Sequence, residues 1–289
     1  MKTHRFYSTS ARAVLWVIFG IFSIYAFSLI FPFAWMLVNS FKSNQEFFTN
    51  IWALPESFNF RNYQNVVGYN MQTATGTYNI LHMFLLSTFI TLTATFINTM
   101  LSSMAAYVIA RYRFRGRNLL YSVALFTLIM PIVGTLPAQF RLMQNLGLYN
   151  TIIGILVLYS GSFGFTFFIM HGYFKNISPT YAEAAFVDGA SDFQVFLRIM
   201  LPMAKPIMIS LAIIYGIGIW NDYITPSIYL KNFPTLAVGI RYLTQTMVST
   251  GAYAEMFATM IISIVPVLAI FIAFRNTIME NMVAGGLKG

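Results

Sequence analysis

The sequence has no cysteine, and only 9% of its 289 residues are charged. Without thiols it can hold no disulfide framework, no iron–sulfur cluster and no thiolate zinc site. A soluble domain carries about a quarter charged residues. This chain has too few to cover its own outside, so water is not the solvent for most of it. Disordered and collagen-like classes fall on the same numbers. The three histidines, His4, His82 and His171, are scattered, with no HExxH pattern or paired carboxylates, which excludes a histidine metal site. No Ser–His–Asp arrangement can be argued. No GxxxxGK(S/T) phosphate loop occurs, and GGLKG at 285–289 resembles one only superficially, so the chain hydrolyses no nucleotide by that route. There is no internal repeat and no low-complexity tract.

What is present is apolar. Hydrophobic residues make up 58% of the chain, with 29 Phe, 17 Tyr and 4 Trp, and the mean hydropathy is +0.68. A bilayer core about 30 Å thick needs roughly 20 apolar residues of helix. Six stretches qualify, near residues 14–38, 84–110, 119–140, 152–174, 206–228 and 256–274. None alternates apolar with polar as a membrane-barrel strand does, so all are read as helices. The first run is too long for a signal-peptide core of about 7–15 residues and no small-residue cleavage site follows it, so it reads as an uncleaved span. With the N-terminus cytoplasmic, the inner segments hold 12 of the 17 Lys and Arg and the outer loops 5. That bias puts both termini inside. It also turns RYRFRGR (111–117), which looks like an RNA-binding patch, into a topology anchor between two spans, with no nucleic-acid partner. Two outer segments, about 40–83 and 230–255, are long.

The inner loop between the fourth and fifth spans, SPTYAEAAFVDGASDFQVFLRIMLP (178–202), carries the most information. Thr180 and Glu183 have capping-box spacing and open a short Ala-rich helix. Gly189 stands where that helix needs a left-handed C-terminal residue. Ser191 and Gln194 repeat the capping pattern and start a second helix, which the spacing ends near Leu201 because Pro202 cannot continue it without strain. The product is a helix–glycine–helix elbow. Ala182, Ala184 and Ala185 keep its first arm slim enough for another surface to approach. On these residues alone, a docking element and a plain interfacial loop both stand.

The loop resembles the cytoplasmic EAA loop of ATP-binding-cassette importer permeases, whose pattern is Glu-Ala-Ala, three residues, Gly, nine residues, Ile, one residue, Leu-Pro. Glu183, Ala184, Ala185, Gly189, Ile199, Leu201 and Pro202 meet every spacing. AAYVIARYRFRGR (105–117), LGLYNTIIGI (146–155), WND (220–222) and AGGLKG (284–289) are similar to the carbohydrate-uptake branch, specifically its maltose-permease G-type partner subunits. Gly286 stands where that family usually has alanine, and Asn281 where it has glycine, which leaves the details of the tail open.

The resemblance implies an all-α polytopic membrane protein with six transmembrane helices, the type I importer transmembrane domain, in the cell membrane. It implies a second permease subunit sharing the translocation path, two ATPase subunits docked underneath, and an extracytoplasmic solute-binding protein. ATP and Mg belong to the ATPases; this chain is no enzyme and binds no cofactor. Glu183 is expected to contact an ATPase subunit or to cap its own helix, or both. Ala184, Ala185, Asp188 and Gly189 are assigned to the docking loop with Ile199, Leu201 and Pro202. The expected organisation is one membrane domain over 1–289: the first span and long outer segment in 1–80, the importer core in 81–279 with the EAA loop at 178–202, and a cytoplasmic tail at 280–289.

Asp222 is the only acidic residue inside an expected span. A carboxylate there costs about 2.5–3.5 kcal/mol on insertion scales, which makes it a substrate- or ion-path residue unless it sits at the outer end of its span, wet or bonded to backbone. Trp220 and Asn221 beside it would suit a sugar by ring stacking and hydrogen bonding. Pro131 is expected to kink the third span. Tyr242 and Tyr253 are placed either against the binding protein or in the interfacial belt. The function expected is a permease subunit for carbohydrate, chosen as oligosaccharide. The alternatives are the same architecture carrying a non-sugar solute, or an ion-coupled secondary transporter.

Overall fold

The computed structural model describes residues 9–129 and 135–286. Lys2, His4, Arg5, the expected kink at Pro131, Lys288 and the last residues of the tail lie outside them. Backbone polar groups surrounded by apolar side chains must pair within their own segment, so long apolar runs become helix. Among the described residues, four helical stretches are long and apolar enough to cross a membrane: Ala11–Asn39, Ile80–Arg111, Asp192–Asn221 and Tyr253–Asn276.

The chain forms two compact units, Met1–Gly68 with Leu243–Ile264, and Tyr69–Tyr242 with Val265–Gly289. In the first, α1 (Thr9–Asn39) is followed by the short helices α2 (Asn44–Thr49) and α3 (Arg61–Val67). The segment after α1 is tied down rather than slack. Asn62 Nδ2 donates to the carbonyls of Ser40 and Lys42, each at 2.8 Å. Lys42 is fully buried and its Nζ donates to Asn50 O at 2.9 Å. Trp35, Phe47 and Phe257 pack edge to face around this turn.

The second unit opens with a hairpin, β1 (Asn70–Thr73) and β2 (Gly76–Asn79), antiparallel with Asn70 opposite Asn79. Then come α4 (Ile80–Arg111), α5 (Arg117–Ile129), α6 (Thr135–Asn145), α7 (Ile152–Tyr159), α8 (Phe165–Asn176), α9 (Thr180–Val187), α10 (Asp192–Val195), a π turn (Phe196–Met200), α11 (Leu201–Asn221) and α12 (Ile224–Tyr229). The helices α13 (Leu236–Thr250) and α14 (Tyr253–Gly286) follow. Asn79 caps α4, accepting from His82 N at 2.9 Å. The core of this unit brings α4, α8 and the start of α11 together through Ala106, Tyr107, Phe167, Met170, Phe174, Val195, Phe196, Met200 and Ala204.

The structure departs from the sequence reading in two of these elements. The fourth apolar stretch is not one helix: it breaks over Ser160–Gly164 between α7 and α8. Nor does Pro202 end the second arm of the elbow. The helix passes through the π turn, with Leu201 N donating to Phe196 O, and Pro202 sits in the first turn of α11. Proline has no N–H to donate back into the preceding turn, and the wider turn ahead of it lets the axis continue without that bond.

Candidate functional site

The elbow takes its shape from local hydrogen bonds. Gly189 has φ +80°, its N–H donates to Phe186 O at 3.1 Å, and Ala190 N–H donates to Ala185 O at 2.9 Å. This is the full Schellman pair that turns a chain out of a helix. Two residues later Ser191 and Gln194 form the reciprocal capping box, with Gln194 Oε1 accepting from Ser191 N at 2.9 Å and Ser191 Oγ from Gln194 N at 3.4 Å. The box expected at Thr180 and Glu183 does not form. Pro179 occupies the cap position, and Ser178 Oγ accepts from Thr180 N and meets the Thr180 hydroxyl instead. The Glu183 carboxylate is therefore exposed and has no hydrogen-bond or ion-pair partner among the described residues, while its backbone N–H donates to Pro179 O at 3.0 Å.

The other elbow residues divide by face. Ala184 and Asp188 are exposed, together with Tyr181, Phe186 and Val187, the last at 88%. Ala185 faces the other way, 8% exposed and packed into the core of its own unit; Ile199 and Leu201 pack there too. Pro202 is exposed. The second arm runs without interruption into α11.

The C-terminal end of α4 reaches the elbow at two points. Arg111 Nη2 donates to Ile177 O, just before the first arm. Tyr112 Oη donates to Asp192 Oδ1 at 2.7 Å, at the first residue of the second. Burial and the carboxylate beside it push the Tyr112 phenol upward, so it stays a donor at physiological pH.

Higher on the same helices lies a cavity of about 500 Å3, within the range of small-molecule sites. The break in the fourth stretch forms one wall, and α4 and α11 supply others. Irregular backbone at membrane depth persists where it is buried in protein or lines a cavity, and three carbonyls around this break are paired by side chains. Asn98 Nδ2 donates to Gly161 O at 2.6 Å, Ser102 Oγ to Ser162 O at 3.0 Å, and Tyr215 Oη to Tyr159 O at 2.5 Å. Asn98 Oδ1 has no partner among the described residues. Phe163, Phe165, Tyr159 and Tyr215 add ring faces to this lining.

Of the three residues proposed from the sequence for the path, only Asp222 lines the cavity. Its Oδ2 accepts from Tyr159 Oη at 3.0 Å, while Oδ1 accepts from Ile224 N and Thr225 N at 2.8 and 3.0 Å and so caps α12. Trp220 packs edge-on against Phe84, and Asn221 turns back to bond Ile217 O. Asn98, Ser102, Tyr159 and Tyr215 went unnoticed in the sequence. The available signals were an asparagine in the middle of an apolar helix and two glycines within five residues of SGSFG. Tyr242 is exposed at the surface of the second unit, and its chain neighbour Arg241 lies over the Tyr223 ring at 4.3 Å. Tyr253 packs on Phe47 in the first.

Residues 98–280 match the family described as binding-protein-dependent transport system inner membrane component. The chain is 31% identical to the diacetylchitobiose uptake system permease protein NgcG of Streptomyces coelicolor, over 99% of this chain and 93% of that one. It is 26% identical to the arabinooligosaccharides transport system permease protein AraQ of Halalkalibacterium halodurans, over 95% and 96%. Among solved structures, a chain from a bacterial ABC transporter involved in the import of the acidic polysaccharide alginate superposes with a TM-score of 0.79 at 25% identity, covering 94% of this chain and 98% of that one.

Proposed function

The chain belongs to the binding-protein-dependent transport system inner membrane components, and from that premise we propose that it is one permease subunit of an ATP-driven importer of carbohydrate, with oligosaccharide as cargo. Relatives named for sugar uptake support the cargo class, and a cavity of rings, amide and hydroxyl groups suits it. The single observation that carries the coupling role is the exposed, unpaired Glu183 on an elbow whose second arm is continuous with a wall of that cavity.

In this reading a second permease subunit completes the path, two ATPase subunits dock under the elbows, and an extracytoplasmic protein delivers the sugar. ATP and Mg stay on the ATPases. The chain crosses the cell membrane six times with both termini cytoplasmic, α5 with α6 and α7 with α8 making the third and fourth crossings. Residues 1–80 carry the first span and outer segment, 81–279 the importer core, and 280–289 the tail. Closure of the ATPases drives the elbows and turns the path from inward- to outward-facing. To move that equilibrium from 1:99 to 99:1, ATP must favour one state by about 5.5 kcal/mol.

Glu183, Ala184, Asp188 and Gly189 form the contact, with Glu183 as its polar centre. The test is Glu183→Arg in the assembled transporter, read as ATP hydrolysis stimulated by the binding protein. Loss of stimulation is expected; undiminished stimulation removes the docking role. Sugar uptake by this chain alone under an ion gradient would overturn the whole assignment.

A further inference from the structure

We infer that the start of α8 is a subsite for an uncharged sugar residue, with the Thr166 hydroxyl as its donor and Asp222 barring acidic sugars. The inference rests on the carbohydrate reading just proposed and adds which sugars the cavity takes and what holds them. The break over Ser160–Gly164 is satisfied on one side only. The carbonyls of Tyr159, Gly161 and Ser162 accept from Tyr215, Asn98 and Ser102. On the other side α8 opens at Gly164, which gives it no capping side chain. The N–H groups of Phe165, Thr166 and Phe167 have no backbone partner among the described residues.

The first N–H groups of a helix carry partial positive charge and attract an acceptor oxygen. Gly164, Phe165 and Thr166 all line the cavity. Thr166 turns this helix start into a built site. It is 6% exposed, and its hydroxyl has no partner among the described residues. A helical threonine turns its hydroxyl to the carbonyl four residues back, but here that carbonyl, Ser162 O, already accepts from Ser102. Asn98, 4% exposed and in the same lining, keeps Oδ1 without a partner. A sugar hydroxyl both accepts and donates, so it suits a wall that holds both kinds of group. Charge sets the class of sugar. The lining includes no Lys, Arg or His, and the Asp222 carboxylate is held by Tyr159 Oη and the N–H groups of Ile224 and Thr225. A uronate entering here would be desolvated in the same cavity as a like charge, with no cation to pair it. The charge of a helix start, about half a unit, does not replace a counter-ion. An uncharged sugar incurs neither cost.

The test uses the purified, assembled transporter without its binding protein, so that the permease subunits alone select the sugar. Saturation-transfer NMR reads binding of diacetylchitobiose and arabinotriose, both neutral, and of digalacturonate. The neutral probes should bind and digalacturonate should not. Thr166→Val keeps the shape without the hydroxyl and should weaken neutral binding about 3- to 10-fold, as loss of one ordinary hydrogen bond does. Thr166→Ser should bind nearly as the parent does, and Asp222→Asn should admit digalacturonate. Parent-like binding in Thr166→Val, an equal loss in Thr166→Ser, or no binding of either neutral probe overturns the subsite. Digalacturonate bound as tightly as the neutral probes, or a preference unchanged in Asp222→Asn, overturns the charge argument. Neutral probes that bind through Thr166 yet are never taken up at the expense of ATP would refute the importer reading and leave the subsite standing.

Discussion

Replacing Gly189 separates two reasons for a glycine at the elbow. One is backbone geometry: at φ +80° an L side chain is strained, at a cost of about 1–2 kcal/mol. The other is close approach by a partner surface, which would make any side chain harmful in proportion to its size. Within the chain, a Cβ at Gly189 meets nothing within 4 Å, so steric overlap adds nothing to the backbone term. The geometric reason therefore predicts that Gly189→Ala shifts the population of the correctly bent elbow by about 5- to 30-fold. Gly189→Asn should cost less than alanine, because asparagine tolerates the left-handed region. Gly189→Val should cost most, being β-branched. The assay is ATP hydrolysis stimulated by the binding protein across the three variants, with retention of the ATPase subunits as the companion measurement. The order Gly, Asn, Ala, Val supports the Schellman turn as the cause. If alanine outperforms asparagine, size at an interface governs the position and the geometric argument fails.

Three further outcomes follow from packing and hydrogen bonding. Gly154→Ala places a Cβ 2.0 Å from Leu148 O and 2.8 Å from Met143 Cε; since backbone is in the way, α7 must move, at the upper end of the about 1–3 kcal/mol that overpacking costs. The melting temperature of the purified transporter should drop, and an unchanged value would show that the loop before α7 gives way freely. Asn98→Leu leaves Gly161 O without its donor at 2.6 Å, a loss of about 1–3 kcal/mol; uptake and melting temperature should fall together, and Ser102→Ala should do less. Pro202→Ala restores a backbone donor and lets the π turn tighten, so melting temperature should hold or rise while uptake falls. Undiminished uptake in that variant would remove the π turn from the transport cycle.

What was readable in advance was local. The turn at Gly189 and the capping box of Ser191 and Gln194 close hydrogen bonds over three to five residues, so residue type and spacing sufficed to locate them. The same logic failed at Thr180 because Ser178 and Pro179, also local, compete for that helix start. It failed at Pro202 because proline forbids one bond but does not choose between stopping a helix and widening it. Asp222 stood out as the one acid inside an expected span, with two open readings. Its bonds to Ile224 N and Thr225 N are local, but its partner Tyr159 lies 63 residues away.

By itself, then, the sequence determined that this chain lives in a membrane as helices and carries a bent handle between two of its crossings, because solvent partition and short-range hydrogen bonding depend on side chains and their neighbours in the chain. Only the tertiary structure decided that the fourth apolar stretch breaks and walls a cavity. An open break leaves carbonyls without partners, and whether that is tolerable depends on Asn98, Ser102 and Tyr215, which lie 56 to 63 residues away along the chain and reach the break only once α4 and α11 have packed around it.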